Sequence, residues 1–169
     1  AGGDYVNQKT ILSLKLFKNT GTVTTPSYEL IDDDYLGFSE NASSSNNPAP
    51  AIGDLDGDGD DDLIIGDKEG YLYYAENLAG PGQPYDFNKP QWKFMDIWVG
   101  SLAKPQIIDV NNDGLGDLVV GETTTNLLDG QFGILKYFQN QGTIGNPMFE
   151  DDVVIAPNTP VFGKIDLRP

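Results

Sequence analysis

Apolar and polar residues alternate over short runs separated by Gly, Pro, Asn and Asp, and no apolar stripe recurs at helical spacing over about ten residues or more. Ile11-Leu12-Ser13-Leu14-Lys15-Leu16-Phe17 has the alternation of a half-buried strand and ends in a turn signal, Lys18 to Thr22. Pro26, Tyr28 and Leu30-Ile31 predict a second extended segment, followed by a solvated edge at Asp32-Asp33-Asp34 and a Ser/Asn-rich loop from Ser43 to Asn47. From Ala49 the pattern predicts a strand, an acidic loop, a strand over Leu63–Gly66, a turn at Lys68-Glu69-Gly70 and a strand over Tyr71–Ala75. Trp92 to Val99 reads as a further strand. A second round begins at Pro105, with Ile107-Ile108 before another acidic loop and Ile134–Phe138 after it. The expected fold class is all-β.

The two loops carry the candidate chemistry. Asp54-Leu55-Asp56-Gly57-Asp58-Gly59-Asp60-Asp61-Asp62 contains six acids in nine residues, and such a cluster repels itself unless a cation sits inside it. Oxygens at alternate positions, a Gly for the tight turn and a carboxylate at the ninth position suit a hard cation that takes only oxygen ligands, Ca²⁺ above all. The candidate ligands are the side chains of Asp54, Asp56, Asp58 and Asp62 and the backbone carbonyl of Asp60. Asp109, Asn111, Asp113, Leu115 and Asp117 repeat the pattern 55 residues later, again before an apolar run, Leu118-Val119-Val120-Gly121. An EF-hand would need a bidentate Glu at the twelfth position and flanking helices. Ile65 and Val120 stand there instead, inside β-branched runs. A metal-free hairpin turn explains Asp and Gly in general, but does not call for acids at four alternate positions.

The repeat is wider than the loops. Asn19, Asn77 and Asn140 each follow an apolar run and each has a Pro seven residues on, at Pro26, Pro84 and Pro147. The successive spacings are 58 and 63 residues, the extra length lying in Thr123 to Phe132. A period near that value with about four short strands per unit is what a β-propeller blade needs. The expected organisation is therefore outer strands of a preceding blade over 1–48, a blade with the first calcium loop over 49–104, a blade with the second over 105–160, and the start of another unit over 161–169. Asp166 is not expected to be a ligand, because it falls before the position of a third loop and Arg168 brings a cation where an acid belongs. Since a propeller takes about 4 to 8 blades, the expectation is a partial propeller or a piece of a longer one.

Charge and composition narrow the function. A net charge of −16 without His disfavours nucleic acid and anionic membranes, which require basic clusters. With no Cys and no His there is no thiol or imidazole nucleophile, thiolate site or His-based zinc set. No Gly-rich phosphate loop joins a strand to a helix, and pairs of carboxylates are inevitable among 26 acids and so carry no information. A non-catalytic protein without direct membrane insertion is expected.

These loops and their flanking strands resemble FG-GAP (integrin α-like) repeats, also described as VCBS repeats, whose blades carry a DxDxDGxxD calcium loop between two strands. The layout of strand, Asn-Thr-Gly-Thr, Pro-x-Tyr and Gly-Asp-Leu-Asp-Gly-Asp-Gly is similar to large secreted surface proteins of Bacteroidota. The resemblance implies two structural Ca²⁺ sites, an extracellular or cell-surface location and export by type IX secretion components. It further implies adhesion, with a protein or cell-surface glycan as partner. The alternative is a lectin-like propeller, or the non-catalytic domain of a polysaccharide-degrading enzyme. Trp92, Trp98, Tyr71, Tyr73 and Tyr74 are the aromatics to which sugars could stack, and four of the five are expected to pack inside blades or between them. Loop one, with four carboxylates against three and an amide, is expected to bind calcium more tightly.

Overall fold

The computed structural model describes residues 13–40, 47–126, 130–149 and 153–155. The chain divides into two compact units, Ala1–Asn46 and Asn47–Pro169. Every strand pairing is antiparallel, and the strands form three separate sheets, none of them closed. Ile11, Leu12, most of the Ser43–Asn47 loop, and Asp166 with the whole 161–169 segment lie outside the described residues.

In the first unit, β1 (Leu16–Asn19) and β2 (Tyr28–Asp32) form a hairpin. Its turn is closed by Asn19, whose side-chain oxygen accepts from the amides of Gly21 and Ser27 at 3.0 and 3.1 Å. Asp34 does not belong to a solvated edge. Its carboxylate accepts from the amide and hydroxyl of Ser39, at 3.0 and 2.6 Å, and so secures a 3-10 segment over Tyr35–Glu40.

The second unit holds two four-stranded meanders. In one, β3 (Ala49–Gly53), β4 (Asp62–Gly66), β5 (Leu72–Ala75) and β6 (Gln91–Trp92) follow chain order across the sheet. Ala51, Ile64 and Tyr74 stand in one cross-strand row, and Ile65, Tyr73 and Trp92 in another. All five residues of β4 are buried, which explains why its sequence is continuously apolar after Asp62 rather than alternating. In the other meander, β7 (Ser101–Ile108), β8 (Asp117–Asn126), β9 (Gly130–Phe138) and β10 (Val153–Ile155) also follow chain order. The extra residues between Thr123 and Phe132 continue the β8–β9 ladder as far as the pair Asn126 and Gly130, so the insertion lengthens a hairpin.

The two meanders share one core. Ala51, Ile64 and Leu72 from the first meet Ala103, Leu118, Val120 and Phe138 from the second, with Leu55 from the first acidic loop among them. The close approach depends on Gly66, where a Cβ would strike the carbonyl of Ala103 and the ring of Pro105. Amides of Leu102 and Ala103 donate to the carbonyls of Lys68 and Asp67, each at 2.9 Å, so β7 is fastened to the turn after β4 as well as packed on its face.

Trp92 to Val99 is not one strand. The β5–β6 ladder ends at Trp92, Phe94–Asp96 forms a 3-10 turn, and pairing returns only as a single bridge between Trp98 and Tyr71. Phe94, Ile97 and Val99 are the residues taken into the core. Their spacing of three and then two cannot be met by an extended chain, whose side chains alternate strictly. The turn satisfies it and leaves Trp92 and Trp98 outside, at 50% and 56% exposure.

Candidate metal centre

Each acidic loop follows a strand whose partner begins with the ninth-position Asp, so the flanking hairpin fixes both ends of the loop. Inside it, the carboxylates organise the backbone first. Asp54 accepts from the amides of Gly57 and Gly59 at 2.7 and 3.0 Å, Asp56 from Asp58 at 3.1 Å, and Asp58 from Asp60 at 3.0 Å. Loop two is wired the same way. Asp109 accepts from Asn112 and Gly114 at 2.7 and 2.9 Å, Asn111 from Asp113 at 2.9 Å, and Asp113 from Leu115 at 2.9 Å. Short side chains that bind amides two to five residues on curl the chain into successive turns and direct its oxygens inward.

Asp54, Asp56 and Asp58 each bring a carboxylate oxygen to within 4.8 Å of the others, and this cluster could hold a metal ion. Asp56 is buried, and burial, with Asp58 and Asp54 beside it, holds its carboxyl above the ordinary carboxylate range. Among the described residues, the loop carboxylates accept from backbone amides, from the hydroxyls of Tyr74, Tyr85 and Tyr137 and from the side-chain amide of Asn111, all neutral donors. One oxygen of Asp60, Oδ1, is buried without a hydrogen-bond partner, while Oδ2 accepts from Gly80 at 2.8 Å. Buried carboxylates that crowd together and accept from neutral donors fit a divalent cation, and an all-oxygen donor set fits a hard one.

Asp62 is not one of those three, and it and its loop-two counterpart Asp117 hold the ninth position. Both are fully buried, and each ties its hairpin together. Asp62 Oδ1 accepts from the amide of Asn77 at 2.9 Å, and Oδ2 from the amide of Leu55 at 3.2 Å and the hydroxyl of Tyr74 at 3.1 Å. Asp117 does the same with Asn140, Val110 and Tyr137 at 2.8, 3.0 and 3.0 Å. Burial pushes the carboxyl of Asp62 up to about 6 although the Asn77 amide opposes it, and Asp56 adds to the rise. The Tyr74 and Tyr137 hydroxyls are likewise raised, first by burial and then by the acids they face.

The Asn residues that mark the repeat also have a shared task. Asn77 Oδ1 accepts from Ala79 and Asp86 at 3.2 and 3.0 Å, and Asn140 Oδ1 from Gly142 and Met148 at 3.0 and 3.1 Å, as Asn19 does in its own hairpin. Their amide groups then reach the acidic loops, Asn77 to the carbonyl of Asp61 at 3.2 Å and Asn140 to those of Gly116 and Leu55 at 3.1 and 2.9 Å. Asn140 therefore joins the two loops directly. A Tyr-x-x-Asn spacing in both copies, Tyr74 to Asn77 and Tyr137 to Asn140, is the signal in the sequence that marks these supporting residues.

The loops touch elsewhere too. The Gly145 amide donates to the Asp56 carbonyl at 2.8 Å, and Gly116 lies so close to the Asp54 carbonyl that no Cβ would fit. A cavity of about 250 Å³ between them is lined by Asp54, Ile107, Asp109 and Leu115 among others. Among the described residues, no helix is long and apolar enough to cross a membrane. The chain matches no protein-family model, no curated protein and no solved structure.

Proposed function

We propose that the two acidic loops are calcium sites that stabilise successive blades of an extracellular β-propeller, and that the protein is an adhesion or protein-interaction module at the cell surface. The observation that carries the reading is the loop wiring, repeated from Asp54–Asp62 to Asp109–Asp117, which in loop one draws three carboxylates into a cluster. Meanders of four antiparallel strands in chain order that share one core support the blade assignment. In each loop, the first, third and fifth side chains and the seventh carbonyl (Asp60 or Leu115) would hold the ion. The ninth Asp would support it while gripping the hairpin. Bound only by the folded chain, calcium offsets carboxylate repulsion and couples its own concentration to stability.

The same chemistry supports an extracellular location, since loops whose affinity is modest would fill where calcium is millimolar. Thermal unfolding in millimolar calcium and in EGTA tests the reading. A midpoint several degrees higher in calcium is expected, and identical midpoints would overturn it.

A second reading, carbohydrate binding, is favoured by one observation: Trp92 and Trp98 are each about half exposed. Of the five aromatics considered for sugar stacking, Tyr73 is buried, Tyr74 is tied to Asp62 beside the core and Tyr71 is half-buried. The expectation that four of the five are interior fails because the turn at Phe94–Asp96 expels both indoles.

A further inference from the structure

We propose that Trp92, Trp98 and Tyr71, with Lys93, form a binding platform for a neutral β-linked polysaccharide whose sugars carry equatorial hydroxyls. The proposal deepens the carbohydrate-binding reading and rests on it.

The two indoles are placed by β5. Trp92 pairs with Tyr73 and Trp98 bridges to Tyr71, so the ladder sets them on one side of the strand and two residues apart, roughly 7 Å along it. Trp98 is anchored, its Nε1 donating to the Glu69 carbonyl at 2.8 Å. A half-exposed indole whose polar edge is already satisfied offers its ring as a stacking surface, with the Lys136 ammonium 6.0 Å from its centre.

The backbone between them is strained toward this display. Lys93, Met95 and Asp96 all have positive φ, at 54°, 49° and 55°, a region that side-chain-bearing residues rarely enter. Such clusters collect at ligand-binding sites, where a fixed presentation is worth the strain. Met95 stands on the same turn at 42% exposure.

The Lys93 ammonium lies 4.2 Å from the Tyr71 ring centre and 4.8 Å from that of Trp92, which holds a triple donor between two aromatic faces. Lys93 covers one face of each of these rings, so a sugar with equatorial hydroxyls would lay its axial C–H groups on the opposite face of an indole and turn its hydroxyls toward the ammonium at the edge. The chain as a whole carries −16, so an acidic polysaccharide would be repelled. A neutral one would not, and its binding would vary little with salt.

The chain contains two Trp, so its indole emission comes from this platform alone. The test is a fluorescence titration of the calcium-saturated protein with cellohexaose, xylohexaose and laminarihexaose, with polygalacturonate alongside. A saturable emission change with at least one neutral oligosaccharide is expected, weakened about tenfold or more in Trp92→Ala and in Trp98→Ala and by a few-fold in Lys93→Met. If an alanine variant fails to fold, oxidation of the wild-type indoles by N-bromosuccinimide replaces it, and protection by the oligosaccharide is expected. No response to any neutral glycan, preference for polygalacturonate, unchanged affinity in both Trp variants, or no protection would overturn the proposal. The calcium-dependent midpoint of the same samples separates the two readings: preserved with no glycan response, it leaves the metal sites standing and sinks the platform alone.

Discussion

The two acidic loops share a hydrogen-bond plan and differ in charge. Asp54 and Asp109, Asp58 and Asp113, and Asp62 and Asp117 make equivalent bonds, whereas Asn111 stands in place of Asp56. Asn111 Oδ1 still accepts from the amide two residues on, and its Nδ2 donates to Asp113 at 2.7 Å, where a second carboxylate would repel. Shaping the loop therefore needs only a short side chain with an oxygen. Attracting a cation needs the charge as well, and loop one has more of it. The comparison separates the oxygens that build the turn from the carboxylates that would bind metal.

Removing Asp62 should have the largest effect. Asp62→Ala leaves the amides of Leu55 and Asn77 and the Tyr74 hydroxyl without their buried acceptor, a loss of about 3–5 kcal/mol. Urea unfolding should show most of it in EGTA as well as in calcium, because the role is structural. A loss confined to calcium-loaded protein would make Asp62 a ligand and nothing more.

The pH dependence comes next, at about 3 kcal/mol for a carboxyl raised from 3.8 to about 6. Folding favours the protonated form of Asp62, so in EGTA its stabilising contribution is full below pH 3.8 and is lost as pH rises through about 6. Calcium requires its carboxylate ligands ionised, Asp56 among them, whose carboxyl is also raised, so the gain in midpoint that calcium gives should grow as pH rises. Urea midpoints at pH 4, 5, 6 and 7, with and without calcium, would show the two trends diverging.

Asn140→Ala should cost about 2–3 kcal/mol and Asn77→Ala about 1–2, since Asn140 donates to a carbonyl in each loop and Asn77 to one carbonyl. Equal losses would mean that the bond to Leu55 contributes nothing across the loops. The smallest effect is expected from Asp56→Asn, which gives loop one the third-position side chain of loop two. Its calcium affinity should fall about tenfold, or about 1.4 kcal/mol, with little change in EGTA stability.

Much of this was legible in the residues. The loops announce themselves because their carboxylates serve local backbone amides, and local bonds leave a fixed spacing. The hairpins at Asn19, Asn77 and Asn140 are legible for the same reason. Trp92–Val99 is not, because the burial of Phe94, Ile97 and Val99 is decided by partners far away in sequence. The bond from Asn140 to Leu55 spans 85 residues, and no local pattern specifies it. Thr123 to Phe132 reads as an insertion by length alone, and only the pairing of Asn126 with Gly130 makes it a ladder.

The most direct measurement is an isothermal calcium titration of the metal-stripped protein and of Asp56→Asn. The account predicts two ions per chain, the tighter at loop one, with the two affinities drawn together in the variant. A chain that takes up no calcium, or a variant that binds as wild type does, would contradict it.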